Sequence, residues 1–334
     1  MRHERRDVRL EGGDVLPSLV TAYSTLGRLN PDRSNAVLVV HGYTTGPSML
    51  DPASNAAEGS WSGLVGPGRA IDTDRWFVIC PNMLGSSYGS TGPASIDPRT
   101  GKPYGMTFPR ITVADIVDAQ KAMLDDLGIT KLAAVAGPSL GAMQAFCWGT
   151  RYPDSVERVV AAVGTPHHPN LINAEAVLKQ LSSDPGWHDG RYYDHPGSML
   201  PRLTAMRKAT LELYGIDAEL TARFPDPAAR RAEIERLSKE WAQEFDPISL
   251  YVLAKAVEDF DVRGDLSRMS APLLFVISRS DPGFTPALAR ELAPLFDAAK
   301  LDWKYVELDS EKGHLASGAD SALWADELAR FMQA

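Results

Sequence analysis

The stretch LAAVAGPSLGAMQAFCWG, residues 132–149, sets an apolar run of strand length directly against a glycine-serine-glycine turn and a segment with helical spacing. A serine nucleophile needs an exposed oxygen, a neighbouring base, and backbone donors for the negative charge that forms on the attacked carbonyl. A sharp strand-to-helix turn supplies the first and third together. In Gly137-Pro138-Ser139-Leu140-Gly141 the glycines relieve crowding where the chain reverses, and the N–H of Leu140 points to where that charge would develop. The five-residue pattern is weak by itself, because Gly85-Ser86-Ser87-Tyr88-Gly89 repeats it. That second copy also follows a strand-like run, but it leads into STGPASIDPRTGKP, which is rich in turn formers and unable to begin a helix. Ser139 is therefore read as the nucleophile and Ser87 as loop structure.

Working outward, four short apolar runs, at residues 36–40, 76–80, 132–136 and 159–163, are separated by turns and amphipathic segments. That rhythm predicts a parallel sheet with crossover helices. The clearest crossover is ITVADIVDAQKAMLDDLGI, where Ile116, Ala119, Met123, Leu124 and Leu127 recur at helical spacing and Gly128 closes the helix. From residue 166 to 265 no convincing strand occurs, and segments such as DPAARRAEIERLSKEWAQEF suit amphipathic helices. After it APLLFVISRSD and DWKYVELDS resume the strand pattern. The expected architecture is an α/β core of residues 1–165 and 266–334 carrying a helical insertion, 166–265.

A serine at such a turn is served by an acid and then a base, each just after a later strand. Asp281 follows PLLFVISRS and His314 follows WKYVELDSEKG, so both can meet Ser139 at the carboxyl edge of one sheet. His314 would take the serine proton, and Asp281 would fix the imidazole tautomer and stabilise its charged form. Asp309 is the alternative acid, less suited because it lies so close to His314 in sequence. A second oxyanion donor is expected in VLVVHGYTTG, where a strand ends at His41-Gly42 and the Tyr43 N–H joins that of Leu140; Thr44 is the other option there. His41, at a strand end, is read as packing and loop support. HDGRYYDH, residues 188–195, matches no common metal spacing, and no Walker or dinucleotide glycine loop is present, so neither a metal nor a bound cofactor is expected.

The bulk properties narrow the partners. The net charge of -9 opposes broad attraction to nucleic acid or anionic lipid. The N-terminal MRHERRDVRLEGGD is charged and does not read as a secretory signal, and the apolar runs are far short of the roughly 20 residues of a spanning helix. Cys80 and Cys147, each in an apolar stretch, suit buried thiols in a reducing compartment. A cytoplasmic protein acting on small molecules is expected.

Residues 61–129, from WSGLVGPGRAID to MLDDLGI, together with GPSLGAMQA and RYPDSVERVV, resemble the homoserine O-acetyltransferase family of α/β-hydrolases. The resemblance implies an α/β-hydrolase fold, an acyl-enzyme, and the same Ser139, Asp281 and His314. The family holds the carboxylate of homoserine with an arginine and a tyrosine seven residues apart, and MRKATLELY offers Arg207 and Tyr214 at that spacing, almost two helical turns. It also implies a homodimer through the helical insertion. The family's transferases carry an aspartate after the catalytic histidine to hold the ammonium of homoserine; here that position is Leu315. Pro138 and Ala142 also stand where the transferases typically have glycines, as in the branch that looks like short-chain ester hydrolases. The expectation is a carboxylic-ester hydrolase for short acyl groups, acetyl first, with the insertion covering its pocket. The alternative is an O-acyltransferase using acetyl-CoA and homoserine or another hydroxyl acceptor.

Overall fold

Every apolar run read from the sequence becomes a strand of one sheet. The computed structural model describes residues 1–54 and 60–333. Its main sheet is built from β1 (Arg2–Arg9), β2 (Val15–Leu26), β3 (Ala36–Val39), β4 (Phe77–Pro81), β5 (Ala134–Pro138), β6 (Val159–Ala162), β7 (Leu273–Ser278) and β8 (Trp303–Leu308), in the order β1-β2-β4-β3-β5-β6-β7-β8. From β4 to β8 all pairings are parallel, while β2 runs antiparallel to both β1 and β4. Strands buried on both faces have no polar side to show, so β3, β5, β6 and β7 are buried throughout and read as unbroken apolar runs.

The crossover helices cover the sheet. Helix α1 (Val113–Asp126) opens with a reciprocal cap between Thr112 and Asp115. It ends as the sequence predicts at Gly128, whose φ of 72° lies in the left-handed region. Helix α2 (Leu140–Arg151) leaves the serine turn and is buried along almost its whole length. The β1–β2 hairpin is a feature the sequence reading does not contain. β1 is an edge strand, exposed at six of its eight positions, so no apolar alternation marks it.

Between β6 and β7 the chain forms α3 (Ala174–Ser182), α4 (Leu200–Tyr214), α5 (Ile216–Leu220), α6 (Pro227–Glu244) and α7 (Pro247–Glu258). Helices α4 to α6 share a small apolar cluster of Leu211, Ile216, Leu220, Ile234 and Leu237. In contrast, Leu181 of α3 and Ile248, Leu253 and Val257 of α7 belong to the same core as Phe146 of α2 and Phe275 of β7. The inserted helices are thus rooted in the body chiefly through α3 and α7, with Leu203 of α4 and Ala242 of α6 joining the same core. Cys80 and Cys147 are both buried free thiols. Among the described residues, no helix is long and apolar enough to cross a membrane.

Candidate active site

The serine turn is strained, and its glycines have an identifiable task. Ser139 stands between β5 and α2 with φ 58° and ψ −123°, a conformation that a residue with a side chain adopts only where its surroundings impose it. The Val40 N–H donates to the Ala136 carbonyl at 2.9 Å, which brings the end of β3 against the turn. A Cβ placed on Gly137 would lie 2.4 Å from the Val40 carbonyl oxygen, and one on Gly141 2.3 Å from it. Glycine at these two positions therefore serves the close approach of the neighbouring strand. A Cβ on Gly42 would lie 3.6 Å from the Ser139 Cβ, so the loop after β3 passes directly beside Ser139. Ser139 donates its N–H to Ala162, and its carbonyl accepts from Ala142 and Met143 to begin α2. The Leu140 N–H sits in that first turn, where no intrahelical acceptor exists.

Asp281 and His314 meet as an ordered pair. His314, on a short 3-10 turn at Gly313–Leu315, places Nδ1 2.7 Å from Asp281 Oδ2, and both side chains are almost fully buried. The other oxygen, Asp281 Oδ1, accepts the N–H groups of Gly283 at 2.8 Å and Phe284 at 3.0 Å. An ionised carboxylate only accepts, so the proton of a neutral His314 sits on Nδ1 and Nε2 is left as the basic atom. The imidazole lies between Tyr214, 4.5 Å away by ring centroid, and Phe284, 5.5 Å away and stacked. Asp309 takes no part, being an exposed residue paired with Arg279 at 2.7 Å.

A cavity of about 560 Å³ joins these groups, within the range of roughly 300–1,000 Å³ usual for small-molecule sites. Seven of the eight residues selected from the sequence line it: Tyr43, Ser139, Leu140, Arg207, Tyr214, Asp281 and His314, and so does Thr44. Arg207 is 4% exposed, donates from Nη1 to Thr44 Oγ1 at 2.9 Å, and lies 5.1 Å from the Trp241 ring centroid. The Trp241 indole N–H in turn donates to the Thr44 carbonyl at 2.9 Å. The helical spacing of Arg207 and Tyr214 does put both on the cavity face of α4.

Leu315, the remaining residue, does not reach the cavity wall. It is 2% exposed and packs in the apolar cluster of α4, α5 and α6, outside the cavity lining. The reason is local: on a one-turn 3-10 segment, adjacent side chains diverge, so His314 facing the cavity sends Leu315 elsewhere. The cavity wall also contains residues the sequence reading misses, among them Met143, Ile172, Val177, Trp241 and Phe284. No linear signal marks them, since they come from segments far apart in sequence.

The remaining polar motifs sit apart from this chemistry. His41 is fully buried, and desolvation pulls its pKa down to about 4. Ser87 Oγ accepts the N–H of Asp246 at 2.8 Å, tying the loop to the start of α7. His188 and His195 stack at 3.8 Å on the surface. Among the described residues, no group of three His, Cys, Asp or Glu side chains is arranged to hold a metal ion.

Comparison with known proteins agrees with this geometry. A family model described as the alpha/beta hydrolase fold matches residues 35–318. The homoserine O-acetyltransferase of Geobacter sulfurreducens is 38% identical over 332 residues, covering 92% of this chain and 89% of that protein. The chain belongs to the homoserine O-acetyltransferase family of α/β-hydrolases. Among family members of known structure, the homoserine O-acetyltransferase of Bacillus anthracis superposes with a TM-score of 0.87 at 26% identity, covering 100% of this chain and 97% of that one. Esterase E22 superposes with a TM-score of 0.86, also at 26% identity, covering 99% of this chain and 100% of its own. The family's fold thus carries both names, and those of the sequence relatives favour acyl transfer, which the sequence reading places second to ester hydrolysis.

Proposed function

We propose that this chain is a serine-dependent acyl-transferring enzyme in which Ser139 accepts a short acyl group and water is the principal acceptor, making it a carboxylic-ester hydrolase. The observation that carries the acyl-enzyme is the buried His314–Asp281 pair on the wall of the cavity that also holds the strained Ser139. His314 Nε2 takes the Ser139 hydroxyl proton as Oγ attacks the ester carbonyl, and the resulting imidazolium is stabilised by Asp281. The oxyanion is met by the N–H groups of Leu140 and Tyr43. The same proton passes from His314 to the departing alcohol, and a water molecule, deprotonated by His314, then releases the acid and restores the serine.

The acceptor is argued from the charged groups on the cavity wall. An ammonium taken out of water against the cavity wall needs a carboxylate partner, and leaving it without one costs several kcal/mol. Leu315, packed into the apolar cluster and away from the cavity, offers no such partner. Among the described lining residues the one carboxylate is Asp281, already committed to His314. The second reading, O-acyl transfer from acetyl-CoA to homoserine or another hydroxyl acceptor, is favoured by the relatives' names and by Arg207 and Tyr214 sharing the cavity wall, where they would hold an acceptor carboxylate.

One assay separates the two. The purified protein is given a short aryl or alkyl acetate, and separately acetyl-CoA with and without homoserine. Acid release from simple esters that disappears in Ser139→Ala supports hydrolysis. O-acetylhomoserine formed far faster than any ester is hydrolysed would reject it in favour of transfer.

A further inference from the structure

The loop after β3 holds two consecutive carbonyls turned into the interior, each by a buried side chain. The first chain of contacts begins at Trp148, whose indole N–H can only donate. It donates to Gln120 Oε1 at 2.8 Å, which leaves Gln120 Nε2 to donate to Gln144 Oε1 at 2.6 Å. Gln144 Nε2 must then face the other way, and it donates to the His41 carbonyl at 3.1 Å, with Met83 Sδ at 3.2 Å and the Leu140 carbonyl at 3.3 Å beside it. The donor-only indole thus fixes both amide orientations without ambiguity. All three side chains are buried, so no water competes for these bonds.

The second chain is the His41 ring. Its Nδ1 lies 2.9 Å from the Gly42 carbonyl, an acceptor, so the ring proton is on Nδ1; Nε2 accepts the Met83 N–H at 3.1 Å. These bonds require the same neutral tautomer, and the depressed pKa of His41 keeps it neutral. The Gly42 carbonyl also accepts from Thr45 Oγ1 at 3.4 Å. That carbonyl shares one planar trans peptide unit with the Tyr43 N–H, which therefore points in the opposite direction.

We infer that His41 and Gln144 are positioning residues for the oxyanion donor: His41 holds the Gly42 carbonyl inward and so turns the Tyr43 N–H toward a carbonyl under attack at Ser139, while Gln144 anchors the preceding peptide, through the His41 carbonyl, to α2. This rests on the reading of Ser139 as the nucleophile. Neither side chain touches substrate. Gln144 also sits on α2 itself, one turn after Leu140, so the same amide links the two donor-bearing segments.

The test compares Gln144→Met, Gln120→Leu, His41→Leu and His41→Asn with the parent. Three quantities are read on the folded fraction: kcat and KM for a short aryl ester, and the inhibition constant of an alkyl trifluoromethyl ketone, which forms a tetrahedral adduct. Removing an oxyanion donor outright lowers kcat by about 10²–10³-fold, so misdirecting one in Gln144→Met should lower it by about tenfold. The ketone should weaken by the same factor while KM stays near the parent value. Gln120→Leu should show a smaller loss of the same kind. His41→Leu should lose more than Gln144→Met, and His41→Asn should recover most of that loss, because its amide can donate to the Gly42 carbonyl from near the Nδ1 position. Unchanged kcat and ketone affinity in folded Gln144→Met would overturn the inference, as would a loss that merely tracks the folded fraction. If the parent hydrolysed no ester, the functional reading would fail by itself, and ketone affinity would still decide the positioning role.

Discussion

The chain contains the same five-residue pattern twice, and the two copies have opposite fates. At residues 137–141 the serine is the hinge between a buried strand and a buried helix, held at φ 58° beside a cavity. At residues 85–89 the segment is part of a loop, and its central hydroxyl accepts a backbone N–H from the start of α7. The glycines differ in kind too. Gly137 and Gly141 admit a neighbouring backbone carbonyl, whereas Gly85 and Gly89 have positive φ and meet mainly side-chain atoms. Reactivity resides in what flanks the pattern, and one pattern can equally well fasten a helix.

The largest expected effect would break or keep that contrast outright. Ser139→Ala should lower kcat for ester turnover by at least about 10⁴-fold in a protein of unchanged stability. A residual rate near the parent's would place the nucleophile elsewhere.

Next in size is a pH effect from His41, behind the first turn. Its folded pKa of about 4 lies below the unfolded value of 6.5, so the unfolded chain binds a proton that the folded chain refuses. The corresponding stability is complete above pH 6.5 and is lost as pH falls toward 4, by about 3 kcal/mol in total. Denaturant midpoints of the parent and His41→Asn, measured between pH 7.5 and 4.5, should converge on acidification. Parallel curves would mean that His41 is not held neutral.

Gly141→Ala sharpens the comparison of the glycines. On helix propensity alone alanine would gain about 1 kcal/mol, but its methyl would meet the Val40 carbonyl, so a net loss of about 2 kcal/mol is expected in urea unfolding. A stabilised variant would show that β3 does not press on the turn. The smallest effect belongs to Ser87→Ala, which removes one hydrogen bond to the insertion. A loss of about 1 kcal/mol with turnover close to the parent's is expected. A collapse of kcat there would reverse the assignment of the two serines.

The parallel strands, the turn at Ser139 and the order of its partners could all be read in the sequence, because each depends on a local period or on a strand end. The boundaries shifted by a residue or two, as at β5, which continues through Pro138. Arg207 and Tyr214 were legible for the same reason, a helical repeat. The β1–β2 hairpin was not, since a two-sided exposed edge has no apolar alternation to display. Nor were Trp241 and Phe284, which reach the cavity through tertiary packing. Leu315 shows the limit most plainly: its neighbour in sequence faces the cavity, and its own direction follows from a single turn of backbone that spacing does not encode.

That leucine also joins the His314 turn to the inserted helices. Beside it, Lys312 pairs with Glu219 of α5 at 2.8 Å, Gly215 at the end of α4 abuts the Lys312 backbone, and Tyr214 lies against the His314 ring. His314 is therefore held from the inserted helices as well as from the sheet. An outward swing of helix α4 would have to part Tyr214 from the His314 ring and Leu211 from Leu315, so any widening of the cavity on that side is felt at the imidazole.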